Sequence, residues 1–280
     1  MTELGISHEQ HQRIEQWFKR YAQQHSSPDE QVQMNLDLKR KHSWRVAGEA
    51  LMISKELGLP KRTQRLSTLI GLLHDVGRFK QYIRYGTFED QKSVNHAEFS
   101  VQELHDSGVL TVLPATTQRL VEESIRLHNL PRLPAHDDDE ILMFARLLRD
   151  ADKLDIWRIV LNYYRDHHGI HNRAIEHGMP DTPGYSEHIL EALLRREAVH
   201  YQYCSNLNDF KLKQMCWVFD LNYGPSIQTV IRRRILEQFE DLLPADAKIV
   251  ELSTELHNYL VHPRCYDNQL STFTNQNIIK

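Results

Sequence analysis

An apolar repeat of about 3.6 residues, returning in segment after segment, is the feature that most constrains what this chain can fold into. No alternating run is long enough to build the core of a sheet. Glycine and proline are few, 11 and 10 in 280 residues, so each break in the pattern can be read locally. Ser7 with Gln10 has the capping-box pattern and predicts a helix through about residue 24. Ser27-Pro28-Asp29-Glu30 is a second start signal. The helix it opens carries His42 and runs to about residue 57, where Gly58 and Pro60 end it. A helix over about 63–75 is stopped by Gly77, and others are expected over about 95–107, 114–128 and 138–164. Residues 78–94 read as a loop rich in aromatic and charged side chains. Residues 165–186 hold Gly169, Gly178, Gly184, Pro180 and Pro183 and read as a long loop or lid. Helices resume over about 186–200, 207–219, 225–243 and 246–260, and the polar tail after Pro263 is expected to pack poorly. The expected fold class is all-α.

Composition narrows the function classes. Apolar residues at 40% and charged residues at 26% suit a packed core and exclude a disordered chain. Three cysteines, Cys204, Cys216 and Cys265, without a C-x-x-C pair exclude a disulfide scaffold and point to a reducing, cytoplasmic setting. A net charge of −4 argues against a general nucleic-acid or anionic-membrane binder. No basic stretch followed by an apolar one opens the chain, so no signal peptide is expected. The longest apolar run, 66–73, is far shorter than the roughly 20 residues of a membrane span.

Histidine is abundant, 17 of 280 residues, and position sorts it. The strongest local string is Leu72-Leu73-His74-Asp75-Val76-Gly77, a His-Asp pair at the end of an apolar helix. An ionised Asp is rarely buried without a partner. His42 shares a helical face with Val46, Ala50, Ile53 and Leu57, His128 with Val121 and Ile125, and Asp152 with Ile141, Ala145 and Leu148. Each of these groups alone is explained by a hydrogen bond in the core. Three helices that each aim one such group inward, beside the His-Asp helix, point to groups that satisfy one another through a metal ion.

The order His42, His74-Asp75, Asp152 resembles the H…HD…D signature of the HD-domain superfamily of metal-dependent phosphohydrolases. The strings KHSWRVAGEA, LIGLLHDVGRFKQY and RLLRDADKLD carry the resemblance, which spans roughly 35–165. It implies a helical bundle over 35–165, preceded by a helical segment over 1–34 and followed by a helical extension over 166–280 that packs on the bundle. Some branches insert two further histidines, and His96 and His128 sit in the matching places. The implied site is dinuclear. His42, His74, Asp75 and Asp152 would serve one metal, and Asp75, His96 and His128 the other, with Asp75 as the bridge. The helix of His96 turns Ala97, Val101 and Leu104 inward and leaves His96 at the edge. Asp150, beside Arg146 and Met143, reads as a salt-bridge residue, and Asp155 as structural.

Nitrogen and oxygen ligands without thiolate suit one or two divalent ions: Mn, Fe, Co, Ni or Zn, with Mg also compatible. The implied chemistry is hydrolysis of a phosphomonoester or phosphodiester, with a nucleotide or other small phosphorylated substrate and neither nucleic acid nor membrane as partner. Besides Asp75, the candidate catalytic residues are Lys153 and Arg78, cations that can meet phosphoryl charge; Lys80 and Arg84 are weaker. Tyr82, Tyr85 and Phe88 are expected to pack on the core. His167, His168, His171 and His177 read as part of a mobile polar loop, and Arg232-Arg233-Arg234 as a solvated helix face. No GYP-like string follows His74-Asp75, which argues against cleavage of cyclic di-GMP. Two other classes stay open at this level: a di-iron oxygenase on the same ligand frame, and a non-catalytic signalling module.

Overall fold

Ser7 forms the capping box that its spacing predicts. Its hydroxyl accepts from the Gln10 amide at 3.1 Å, and the Gln10 side chain accepts from the Ser7 amide at 2.8 Å. Such a cap contributes about 1 kcal/mol and opens α1, His8–Gln24. The computed structural model describes residues 4–166, 171–197 and 199–267. Among them there is no strand, and the fold is all-α. No helix among the described residues is long and apolar enough to cross a membrane.

The chain divides into two compact units, one of residues 4–155 with 267 and the other of residues 156–266. In the first, α2 (Glu30–Glu56) starts where Asp29 accepts from the amides of Gln31 and Val32. It packs along α3 (Lys61–Leu73), and Gly71 makes the approach close: a Cβ there would lie 3.1 Å from the Ala47 Cα. The helices α4 (Gly77–Tyr85), α5 (His96–Ser107) and α6 (Ala115–His128) follow, and then the first part of α7 (Asp139–Asp166). The residues expected to face inward do so: Val46, Ala50, Ile53, Val121, Ile125, Ala145 and Leu148 are all buried.

Three expectations change in the first unit. Gly77 begins a helix rather than ending one. It is needed for closeness, because a Cβ there would stand 2.6 Å from the Ser100 amide nitrogen of α5. Residues 78–94 are not simply a loop, since α4 occupies the first half and a short 3-10 turn, Asp90–Lys92, lies in the second. Phe79 is buried edge-on against Phe18 and Tyr21, with ring centroids 6.2 and 5.9 Å away, and that burial holds the helix. His96 is buried rather than at an edge, because Asn95 caps α5 and Asp90 takes up its ring.

The second unit holds the end of α7, α8 (Arg173–Glu176), α9 (Glu187–Leu194), α10 (Leu207–Met215), α11 (Gly224–Arg232), α12 (Ile235–Glu240) and α13 (Ala247–Val261). Its core surrounds Trp157, which donates to the Gln214 carbonyl at 2.9 Å, with Leu212, Met215, Phe239 and Leu252. Here the expected helix over 225–243 is broken at Arg234, whose φ is +52°. The helix expected over 186–200 stops at Leu194. The expected 165–186 loop contains α8, and His167 and His168 lie outside the described residues. Cys204, Cys216 and Cys265 form no disulfide among the described residues.

Candidate metal centre

α2, α3, α5, α6 and α7 each deliver ligand-type side chains to one buried cluster. His42 comes from the middle of α2, and His74 and Asp75 follow the last turn of α3. His96 is the first residue of α5, His128 the last of α6, and Asp152 lies in α7. His42, His74, Asp75, His96 and His128 are all below 9% exposed, and Asp152 is half-buried.

Every one of the four rings is held by its Nδ1. The Gly71 carbonyl accepts from His74 at 2.8 Å and the Ile125 carbonyl accepts from His128 at 2.6 Å. Asp155 takes His42 Nδ1 at 2.7 Å, and Asp90 takes His96 Nδ1 at 2.6 Å. A carbonyl or carboxylate can only accept, so the Nδ1 proton is committed outward and Nε2 turns inward. This is the arrangement that orients a metal-binding imidazole.

The inward atoms crowd together. His42 Nε2 lies 3.1 Å from Asp152 Oδ1 and 3.6 Å from Asp75 Oδ2. His74 Nε2 lies 3.6 Å from Asp152 Oδ1 and 3.5 Å from Asp75 Oδ2. Despite those distances, His42 Nε2, His74 Nε2 and Asp152 Oδ1 are buried without a directed hydrogen bond. Atoms bound about 2.1 Å from one ion stand about 3.0 Å apart in an octahedron and about 3.4 Å apart in a tetrahedron. The spacing fits a cation at their centre better than it fits a hydrogen-bonded core. On the other side of Asp75, His96 Nε2 lies 3.7 Å from Oδ1 and 3.0 Å from His128 Nε2. Two inward nitrogens at that distance need a shared proton or metal between them. Two groups with the spacing to hold an ion emerge: His42, His74 and Asp152; and His74, Asp75 and His128. The second differs from the implied triad by taking His74 in place of His96.

Electrostatics favour binding-competent forms in part of the cluster. Burial, reinforced by the neighbouring His96 and His74, lowers the His128 pKa to about 3, so its ring is neutral near pH 7. Burial and Arg78 lower His96 as well, against Asp90 and Asp75. Burial and Lys39 push His42 down, but Asp152 and Asp155 outweigh them and raise it, so metal would compete with a proton there. Burial alone would raise Asp75, yet Lys39, His74, Arg78 and His96 hold it well below the usual carboxylate range. Asp152 is likewise held low against burial by His42 and His74.

The two candidate cations differ in their surroundings. Arg78 Nε is 3.5 Å from Asp75 Oδ1, while its Nη1 donates to Gln81 at 2.7 Å, the Phe88 carbonyl at 2.5 Å and Asp90 at 2.9 Å. Lys153 is half-buried, with Nζ 3.5 Å from the Arg149 carbonyl oxygen. Asp150 is fully buried. Sequence reasoning missed Lys39, whose ammonium is 2.6 Å from Asp75 Oδ2, and Asp90. Lys39 lies three positions before His42 on the same helix, a spacing that could have flagged it. Asp155, read as structural, anchors His42 and is itself clamped by Arg45 at 2.5 and 3.1 Å.

A family model described as the HD domain matches residues 40–157. It takes in all six clustered residues and Asp155, and begins one residue after Lys39. No curated protein and no solved structure matches the chain. Residues 40–157 are thus similar to the HD domain, in line with the resemblance that the motifs around His42, His74-Asp75 and Asp152 carry.

Proposed function

We propose that the six residues hold two divalent ions bridged by Asp75, and that the protein hydrolyses a phosphomonoester or phosphodiester of a nucleotide or another small molecule. One observation carries the reading: the two oxygens of Asp75 face two different sets of imidazole nitrogens, His42 and His74 from Oδ2 and His96 from Oδ1. Divalent ions bound there supply Lewis acidity for phosphoryl oxygens and lower the pKa of water. The chain's own residues do the rest. Asp155 and Asp90 fix the His42 and His96 rings. Arg78, itself tied to Asp90, steadies the Oδ1 side of Asp75. Lys39, paired with Asp75 Oδ2, and Lys153, next to Asp152 in the chain, would meet the negative charge of a phosphate group.

The test is reconstitution of metal-stripped protein with Mn, Fe, Co, Ni, Zn or Mg, followed by a panel of phosphomonoesters, phosphodiesters and nucleotides with oxygen excluded. Turnover that needs metal and no oxygen is expected. Fully loaded protein that hydrolyses nothing on the panel, or that acts only with oxygen, contradicts the reading.

A further inference from the structure

Each oxygen of Asp75 meets a cation as well as imidazole nitrogens, and the two cations differ in how many of their donors are engaged. On the Oδ1 side, Arg78 Nη1 donates to Gln81, the Phe88 carbonyl and Asp90, while its Nε stands 3.5 Å from Oδ1. The protein itself holds that guanidinium in place. On the Oδ2 side, Lys39 donates to Asp75 at 2.6 Å, and its ammonium lies 5.2 Å from the centroid of the Phe88 ring. An ammonium has three donors and no acceptor. Among the described residues Asp75 is its hydrogen-bond acceptor, so two N–H groups of Lys39 have none.

The place of this ammonium follows from α2. Lys39 lies three positions before His42, and both reach the same oxygen of Asp75. His42 Nε2 is 3.6 Å from Oδ2, and His74 Nε2 is 3.5 Å from it. An ion held by those imidazoles and Oδ2 therefore has Lys39 as a neighbour. The Lys39 side chain is 17% exposed and that of Asp75 only 3%, so the ammonium is the more open of the two. The Phe88 ring, packed against Tyr82 with centroids 4.5 Å apart, backs it with a negative face.

A phosphomonoester has three terminal oxygens and carries two negative charges; a diester has two such oxygens and one charge. Two ions bridged by one carboxylate can take two terminal oxygens. Only a monoester then keeps a third oxygen for an ammonium. A further positive charge beside two divalent ions also favours a dianion over a monoanion. Resting on the proposed dinuclear centre, we infer that Lys39 determines specificity there: its ammonium takes the third terminal oxygen of a phosphomonoester, and the protein selects monoesters over diesters.

The test is calorimetric titration of the full chain, loaded with manganese and with oxygen excluded, at mildly alkaline pH. Phenylphosphonate is one probe, with the three terminal oxygens of a monoester and no ester bond to hydrolyse. Its monomethyl ester is the other, with two terminal oxygens like a diester. The wild type should bind phenylphosphonate about tenfold more tightly than the methyl ester. Lys39→Met should weaken phenylphosphonate about tenfold and leave the methyl ester unchanged, and Lys39→Arg should restore most of the loss. Ion affinity, read by competition with a chelating dye, should not fall in Lys39→Met, because the variant removes a positive charge next to the ions. Arg40→Met removes the neighbouring exposed cation, paired with Asp37, and should change nothing.

No preference for phenylphosphonate in the wild type would overturn the inference. So would equal weakening of both probes by Lys39→Met, or the same effect from Arg40→Met. An ion affinity lowered about tenfold or more in Lys39→Met would overturn it too, by making Lys39 a prop for Asp75. Protein that prefers phenylphosphonate through Lys39 yet hydrolyses nothing would sustain the inference and defeat the hydrolysis reading. Protein that hydrolyses monoesters and diesters alike, with no dependence on Lys39, would do the reverse. Protein that holds no ion would overturn both.

Discussion

The two units differ in what their histidines build. In the first unit four of them are buried, each with Nδ1 held by an acceptor and Nε2 turned inward. In the second unit His171 is exposed and meets Glu176 at 2.8 Å, and His257 is partly exposed and meets Glu240 at 2.9 Å. His177 is half-buried between the rings of Tyr201 and Phe210, and His200 caps a short turn. Among the described residues, both groups that could hold a metal lie in the first unit. The difference teaches that a histidine becomes a candidate ligand when one nitrogen is tied down and the other is buried beside a carboxylate. Abundance alone decides nothing.

The sharpest way to break the comparison is Asp75→Asn. It removes the carboxylate that faces both halves of the cluster, so metal-dependent hydrolysis should fall at least about a thousandfold. Steady-state rates on the best substrate of the panel would measure this. Asp155→Asn and Asp90→Asn act one layer out, by freeing the His42 and His96 rings. Each should weaken metal affinity about 10–100-fold, read by competition with a chelating dye. Gly77→Ala tests the packing beneath the site. Its Cβ would meet the Ser100 and Phe99 backbone at 2.6 and 2.8 Å, and chemical denaturation should show a loss of about 1–3 kcal/mol. At the small end, His257→Gln in the second unit should leave metal content and hydrolysis unchanged. A loss of metal there would erase the distinction between the two units.

How far the sequence foretold this depends on the range of the contact involved. His42, His128 and Asp152 were legible because each shares an apolar face with residues three or four positions away, and the chain writes that spacing directly. The capping box at Ser7 is equally local. Asp155 was not recognised as the partner of His42 because 113 positions separate them and only the fold brings them together. Lys39 is similar: its spacing to His42 was visible, but its pairing with Asp75, 36 positions on, was not. The helix α4 was hidden for another reason. Its aromatic and charged residues resemble a surface loop until Phe79 is seen inside the core. Arg234 likewise gave no local sign that it would break the helix expected over 225–243, since left-handed backbone is favoured by glycine and asparagine rather than arginine.

The central claim is that Asp75 joins two ion-binding sets. Its most direct test is metal analysis of the purified chain after reconstitution, beside the His128→Ala and Asp75→Asn variants. The account predicts two ions per wild-type chain, one in His128→Ala and almost none in Asp75→Asn. Fewer than one ion per wild-type chain, or an undiminished content in Asp75→Asn, would contradict it.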